Sequence, residues 1–154
     1  MNTLFDRIET FFKGLSSPQD MPHDEHELHL AIAALLLEVM QVDDSEQPEE
    51  RQAVISALEH HFHLAADEIH ALLERAARQR DQASDYHRFT SLINRHLDAA
   101  QKARLLEQLW RVAYADRQLD KYEEHLIRKL ADLLHLPHQV FITRKHRAQD
   151  KASD

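Results

Sequence analysis

The sequence predicts an all-α protein, a compact bundle of about seven or eight helices with an internal two-fold-like repeat. Three observations lead there. There is a single glycine, Gly14, and the four prolines, Pro18, Pro22, Pro48 and Pro137, all fall between apolar-periodic stretches, where helices start or stop. No run of β-branched residues alternates with polar ones, so no strand pattern competes. Two segments also share a pattern: LLLEVMQVDDSEQPEERQAVISALEHHFHL at 35–64 and LWRVAYADRQLDKYEEHLIRKLADLLHL at 109–136. Each reads as an apolar helix, an acidic loop and a second helix that opens with glutamates.

In order along the chain, residues 3–15 form an amphipathic helix with Leu4, Ile8, Phe11, Phe12 and Leu15 on one face. Its charges nearly cancel, which favours a lid packed on the core over a membrane-docking helix. The stretch SSPQDMPHD, 16–24, reads as a linker. Residues 24–41 form a helix that is apolar nearly all round, as expected at the centre of a bundle. A loop over Asp43–Gln47 follows, then a helix whose first turn holds Pro48 and which runs to about His63.

Asp67 begins a fourth helix, with Ile69, Leu72, Leu73, Ala76 and Ala77 on one stripe and a polar, solvated end at RAARQRDQ. Ser84 or Asp85 caps a fifth, which buries Tyr86, Phe89 and Leu92 or Ile93. Asp98 caps a sixth, with Leu105, Leu109, Val112 and Ala113 inward and Trp110 near the edge. After the loop Asp116–Leu119, Asp120 caps a seventh helix carrying Leu126, Ile127, Leu130, Leu133 and Leu134, which Pro137 ends. A short eighth helix, HQVFITRKHR, completes the series. The expected organisation is a helix and linker over 1–22, a helical domain over 23–148 and a frayed tail over 149–154.

Composition narrows the function. The 154 residues suit one domain with a real core. A formal charge of −8 disfavours a nucleic-acid partner, because phosphate binding needs a basic surface. There is no cysteine, hence no disulfide and no thiol chemistry. The longest apolar run, LHLAIAALLLEVM, is too short to span a bilayer and contains His29 and Glu38, so stable membrane insertion is not expected. The simplest expectation is a soluble, cytoplasmic protein. No nucleophile motif or glycine-rich phosphate loop is present, and the expected protein is not an enzyme.

The acidic loops are the candidate site. In each repeat an aspartate precedes a glutamate by seven residues, Asp43 with Glu50 and Asp116 with Glu123. Asp43 and Asp116 fall at helix carboxyl ends, where partial negative charge makes an aspartate unfavourable without compensation. A bound cation compensates it; so do backbone N–H groups from the next helix. Ca²⁺ and Mg²⁺ take oxygen ligands, which these loops offer. The competing reading is capping: Asp120 and Glu123 have capping-box spacing, and Glu49 and Glu50 suit a first helical turn. Neither loop contains the D-x-[DN]-x-[DN]-G calcium pattern. Among the thirteen histidines, His23, His26 and His29 recur every third residue, and His60, His61 and His63 cluster. Neither group makes the H-E-x-x-H zinc motif, and solvated surface histidines are the favoured reading.

The strings VMQVDDSEQPEE and RVAYADRQLDKYEEHLIRKLADLL resemble the TerB tellurite-resistance family. The resemblance covers about residues 25–148. The family signature is an A-D-G turn followed by a glutamate seven residues after the aspartate. The second repeat, with Ala115, Asp116 and Glu123, is the closer match; the first has Val42, Asp43 and Glu50. Asp44 and Arg117 stand where the family has glycine. The resemblance implies an all-helical bundle and a stress-related role. It also implies a divalent-metal site, Ca²⁺ or another divalent cation, with Asp43, Glu50, Asp116 and Glu123 at the matching positions. The reading that follows is a non-enzymatic domain whose acidic repeats bind a divalent cation or a protein partner. The alternative is a purely structural interaction module without metal, a homodimer, with contacts through the first helix or the edge near Trp110.

Overall fold

Eight α-helices and no strand occur among the residues that the computed structural model describes, 4–15, 25–40, 48–78, 83–114 and 121–153. They are α1 (Leu4–Lys13), α2 (His26–Met40), α3 (Pro48–Phe62), α4 (Ala66–Arg78), α5 (Ala83–His96), α6 (Ala99–Tyr114), α7 (Lys121–Leu133) and α8 (His138–Ser153). The all-α expectation holds.

Two helices organise the rest. Every residue of α2 from Ala31 to Met40 is buried, and α3, α4, α5, α6 and α7 all pack on it. That follows from its composition: a helix apolar on all sides has no face to offer water. The second organiser, α6, touches α1, α2 and α7 and carries α8 along its length. The linker 16–24 and the loops 41–47 and 115–120 lie outside the described residues.

Helix ends follow local chemistry. Asp98 and Gln101 cap α6 reciprocally: the Gln101 N–H donates to Asp98 Oδ1 at 2.8 Å, and the Asp98 N–H to Gln101 Oε1 at 2.9 Å. At the start of α4 the Ala65 N–H donates to Glu68 Oε1 at 3.0 Å. That bond and the His26 ring hold the Glu68 carboxyl below its usual pKa. His63 (φ 57°) and His135 (φ 60°) turn the chain left-handed after α3 and α7. The Leu136 N–H then reaches back to the Ala131 carbonyl at 3.0 Å, and Pro137 prevents continuation.

The first helix is a core element. Ile8 and Phe11 are fully buried, and α1 lies across α3 and α6. Gly14 makes the close approach possible, since a Cβ there would overlap the Gln108 side-chain amide. Arg104 Nε donates to the Gly14 carbonyl at 3.1 Å. The lid reading fits this packing.

Three details depart from expectation. Trp110 is fully buried rather than at an edge, because α8 covers it with Phe141 and Lys145. Helix α8 continues to Ser153, well beyond the short helix expected. Its docking is explained by Glu107, whose fully buried carboxylate accepts from Arg144 (2.9 Å), Arg147 (3.2 Å) and Arg104 (3.4 Å). A buried carboxylate is tolerated when its charge is paired, and two of these arginines belong to α8. Finally, Arg75 does not join a solvated helix end. Its guanidinium meets the buried Glu38 at 3.3 Å and lies over the Phe89 ring at 4.6 Å.

Candidate functional site

The candidate site lies where α2 and α6 end and α7 begins. Met40 is the last residue of α2, Val112 is in the last turn of α6, and Glu123 is in the first turn of α7. One side chain joins all three. The Arg7 guanidinium of α1, 7% exposed, donates from Nε to the Val112 carbonyl at 3.2 Å. It donates from Nη1 to the Met40 carbonyl at 3.4 Å and pairs through Nη2 with Glu123 Oε2 at 3.5 Å.

The electrostatic logic is direct. The last carbonyls of a helix lack intrahelical partners and carry partial negative charge. Two such ends and a carboxylate meet here, and a buried guanidinium satisfies them in three directions. Because one guanidinium touches both carbonyls, the chain leaves α2 and α6 from neighbouring points. The carboxyl ends of α2 and α6 therefore lie side by side.

Of the four residues that the family resemblance marks, the described residues include two. Glu123 is 3% exposed and engaged by Arg7. Glu50 is half-buried in the first turn of α3. Asp43 and Asp116 lie outside the described residues. Among the described residues, no three His, Asp or Glu side chains converge as a metal ion requires. Nearby Glu124 is held by Lys145 at 2.8 Å. At the end of α6 the Tyr114 hydroxyl is buried with no hydrogen-bond partner among the described residues. Its pKa is raised, first by burial and then by the Glu124 charge.

The histidines separate into distinct roles. His29 is buried and stacked on Phe62, so it is not a surface residue. His61 stacks on Phe12 and meets Glu9 at 3.2 Å, tying α3 to α1. His26 is exposed and pairs with Glu68 at 2.7 Å. His23 lies outside the described residues.

Sequence reading missed Arg7, Glu38 and Glu107. One signal was available: each is a charged residue embedded in an otherwise apolar helix stripe. Arg7 shares the face of Ile8 and Phe11, and Glu38 stands between Leu37 and Val39. Charged residues are almost never fully buried without a partner, so such a position announces a partner elsewhere in the chain.

Comparison with known proteins fits this architecture. A family model described as tellurite resistance protein TerB matches residues 29–146, from α2 through α8. No curated protein and no solved structure matches the chain. The match takes in both acidic loops and the helices that flank them, and the chain belongs to the TerB tellurite-resistance family.

Proposed function

We propose that the chain is a non-catalytic, stress-related binding domain whose two acidic loops jointly take a divalent cation such as Ca²⁺. Asp43, Asp116 and Glu50 are the ligands of first choice. Glu123 is already paired with Arg7 and serves as a positioning residue rather than a ligand. The observation that carries this reading is the single guanidinium touching both the Met40 and the Val112 carbonyls. It supports a common origin for the two loops, and so a shared acidic surface of the kind that hard cations require.

A second reading rests on the same residue. Arg7 is itself a cation at the junction of two negative helix ends, and it supplies the compensation that a metal would supply. On that reading the loops cap helices and present charge to a protein partner, with no metal.

Thermal unfolding of metal-stripped protein separates the two. A ligand specific to the native state raises the melting temperature by mass action. Added Ca²⁺ or Mg²⁺ is expected to raise it in the wild type and not in an Asp43→Asn, Asp116→Asn variant. An unchanged melting temperature in both removes the metal reading and leaves partner recognition. These substitutions are preferable to Glu123→Gln, which disturbs the buried pair whether or not metal binds.

A further inference from the structure

A groove on another side of the bundle carries a separate inference. Helices α4 and α5 both pack on α2, and a cavity of about 680 Å³ runs between them with α2 as its floor. That is within the range of small-molecule sites. Leu30, Leu72, Phe89 and Leu92 line it, and they are four of the eight partly buried apolar side chains that fringe the described core. Their concentration in one groove is what marks a contact surface, since scattered apolar exposure is ordinary.

Arg75 and Arg88 line one end of the groove, in a chain of net charge −8. Arg75 is fixed there from below. The buried Glu38 accepts from the Tyr86 hydroxyl at 3.2 Å and from Arg75 at 3.3 Å. Phe89 supports the Arg75 guanidinium at 4.6 Å. Arg88, the neighbour of Phe89, is exposed and makes no hydrogen bond or ion pair among the described residues. At the other end stand Glu27 and Glu68, accompanied by Arg95. From Arg88 to Arg95 the groove follows seven residues of α5, about 10 Å of helix.

We propose that this groove binds a small amphiphile with one anionic head and a short apolar tail, of the medium-chain carboxylate class. The head sits at Arg88, where a carboxylate gains charge-assisted hydrogen bonds, beside the Arg75 guanidinium that Glu38 and Phe89 hold. The tail covers Leu30, Leu72 and Leu92. The far acids disfavour a second negative group, so a mono-anion fits better than an acidic helix of several turns. This inference is independent of the acidic loops.

The test is a titration of the full chain with octanoate, followed by backbone amide NMR, with octanol and octyltrimethylammonium as neutral and cationic controls. Saturable shifts confined to α2, α4 and α5 are expected, with octanol and the cation about tenfold weaker or worse. Arg88→Gln is expected to weaken octanoate about tenfold. Arg88 is exposed, so its replacement is expected to leave the fold intact; Leu72→Gln is a second, independent variant that weakens the tail contact. Absence of saturable octanoate binding overturns the proposal. So does octanol binding as tightly as octanoate, unchanged affinity in both variants, or preference for an acidic amphipathic peptide over octanoate.

Discussion

In the two acidic segments a glutamate follows the aspartate at the same spacing in sequence, yet the two glutamates have different surroundings. Glu123, opening α7, is 3% exposed and paired with Arg7. Glu50, opening α3, is half-buried in its helix's first turn. The difference comes from a third element. Helix α1 lies across α3 and α6, and its one inward arginine reaches Glu123 and the ends of α2 and α6. Similar local sequence therefore acquires different electrostatics from a helix that belongs to neither segment.

The strongest way to break the comparison is to remove the arginine. Arg7→Met withdraws the guanidinium from the buried Glu123 and from two helix-end carbonyls, and is expected to cost about 3–5 kcal/mol in denaturant unfolding. Adding Glu123→Gln to Arg7→Met should recover part of that loss, because the buried charge goes with its partner. A cost within about 0.5 kcal/mol, the usual range for a surface residue, would show that Arg7 does not create the asymmetry.

Glu107 asks whether arginine clamping is the general reason this fold buries carboxylates. Glu107→Gln is expected to cost about 1.5–3 kcal/mol, the worth of a charged hydrogen bond, and to loosen α8. Trp110 is the chain's one tryptophan and lies under α8, so its emission should shift to the red. Unchanged emission with unchanged stability would mean that Phe141 and Ala148 hold α8 without the clamp.

Smaller effects sharpen the contrast. Glu50→Gln removes a first-turn charge and is expected to cost about 0.3–1 kcal/mol, well below the Arg7 variant. An equal or larger loss would make the two glutamates equivalent. The Tyr114 hydroxyl at the end of α6 titrates above its ordinary value of 10.0. A raised folded pKa means that the native state holds its proton longer than the unfolded chain. Its contribution is complete below pH 10 and fades as pH rises through the folded pKa. Stability measured against alkaline pH should fall less steeply in Tyr114→Phe; an identical slope would remove this residue from the account.

Much of the architecture is legible in the sequence. The breakers at Pro48 and Pro137, the stripe of α4 and the all-round apolar surface of α2 each state a local rule of helix formation, and the fold obeys them. Family membership was legible from the two acidic strings, for the same reason: they are contiguous in sequence. The exposures of individual residues were less so. Trp110 looked marginal on its own helix and is buried because α8, arriving later in the chain, lies over it. His29 and Arg75 looked solvated and are held by Phe62 and Glu38.

By itself, the sequence determined the helices, their order, the central place of α2 and the family. These follow from periodicity, capping and propensity, which act over a few turns. Only the tertiary structure decided where the charges inside the bundle go. Arg7 finds Glu123 across 116 positions, and Arg144 finds Glu107 across 37. A buried charge must be paired, but the partner is chosen by how helices cross, and no local pattern records that crossing.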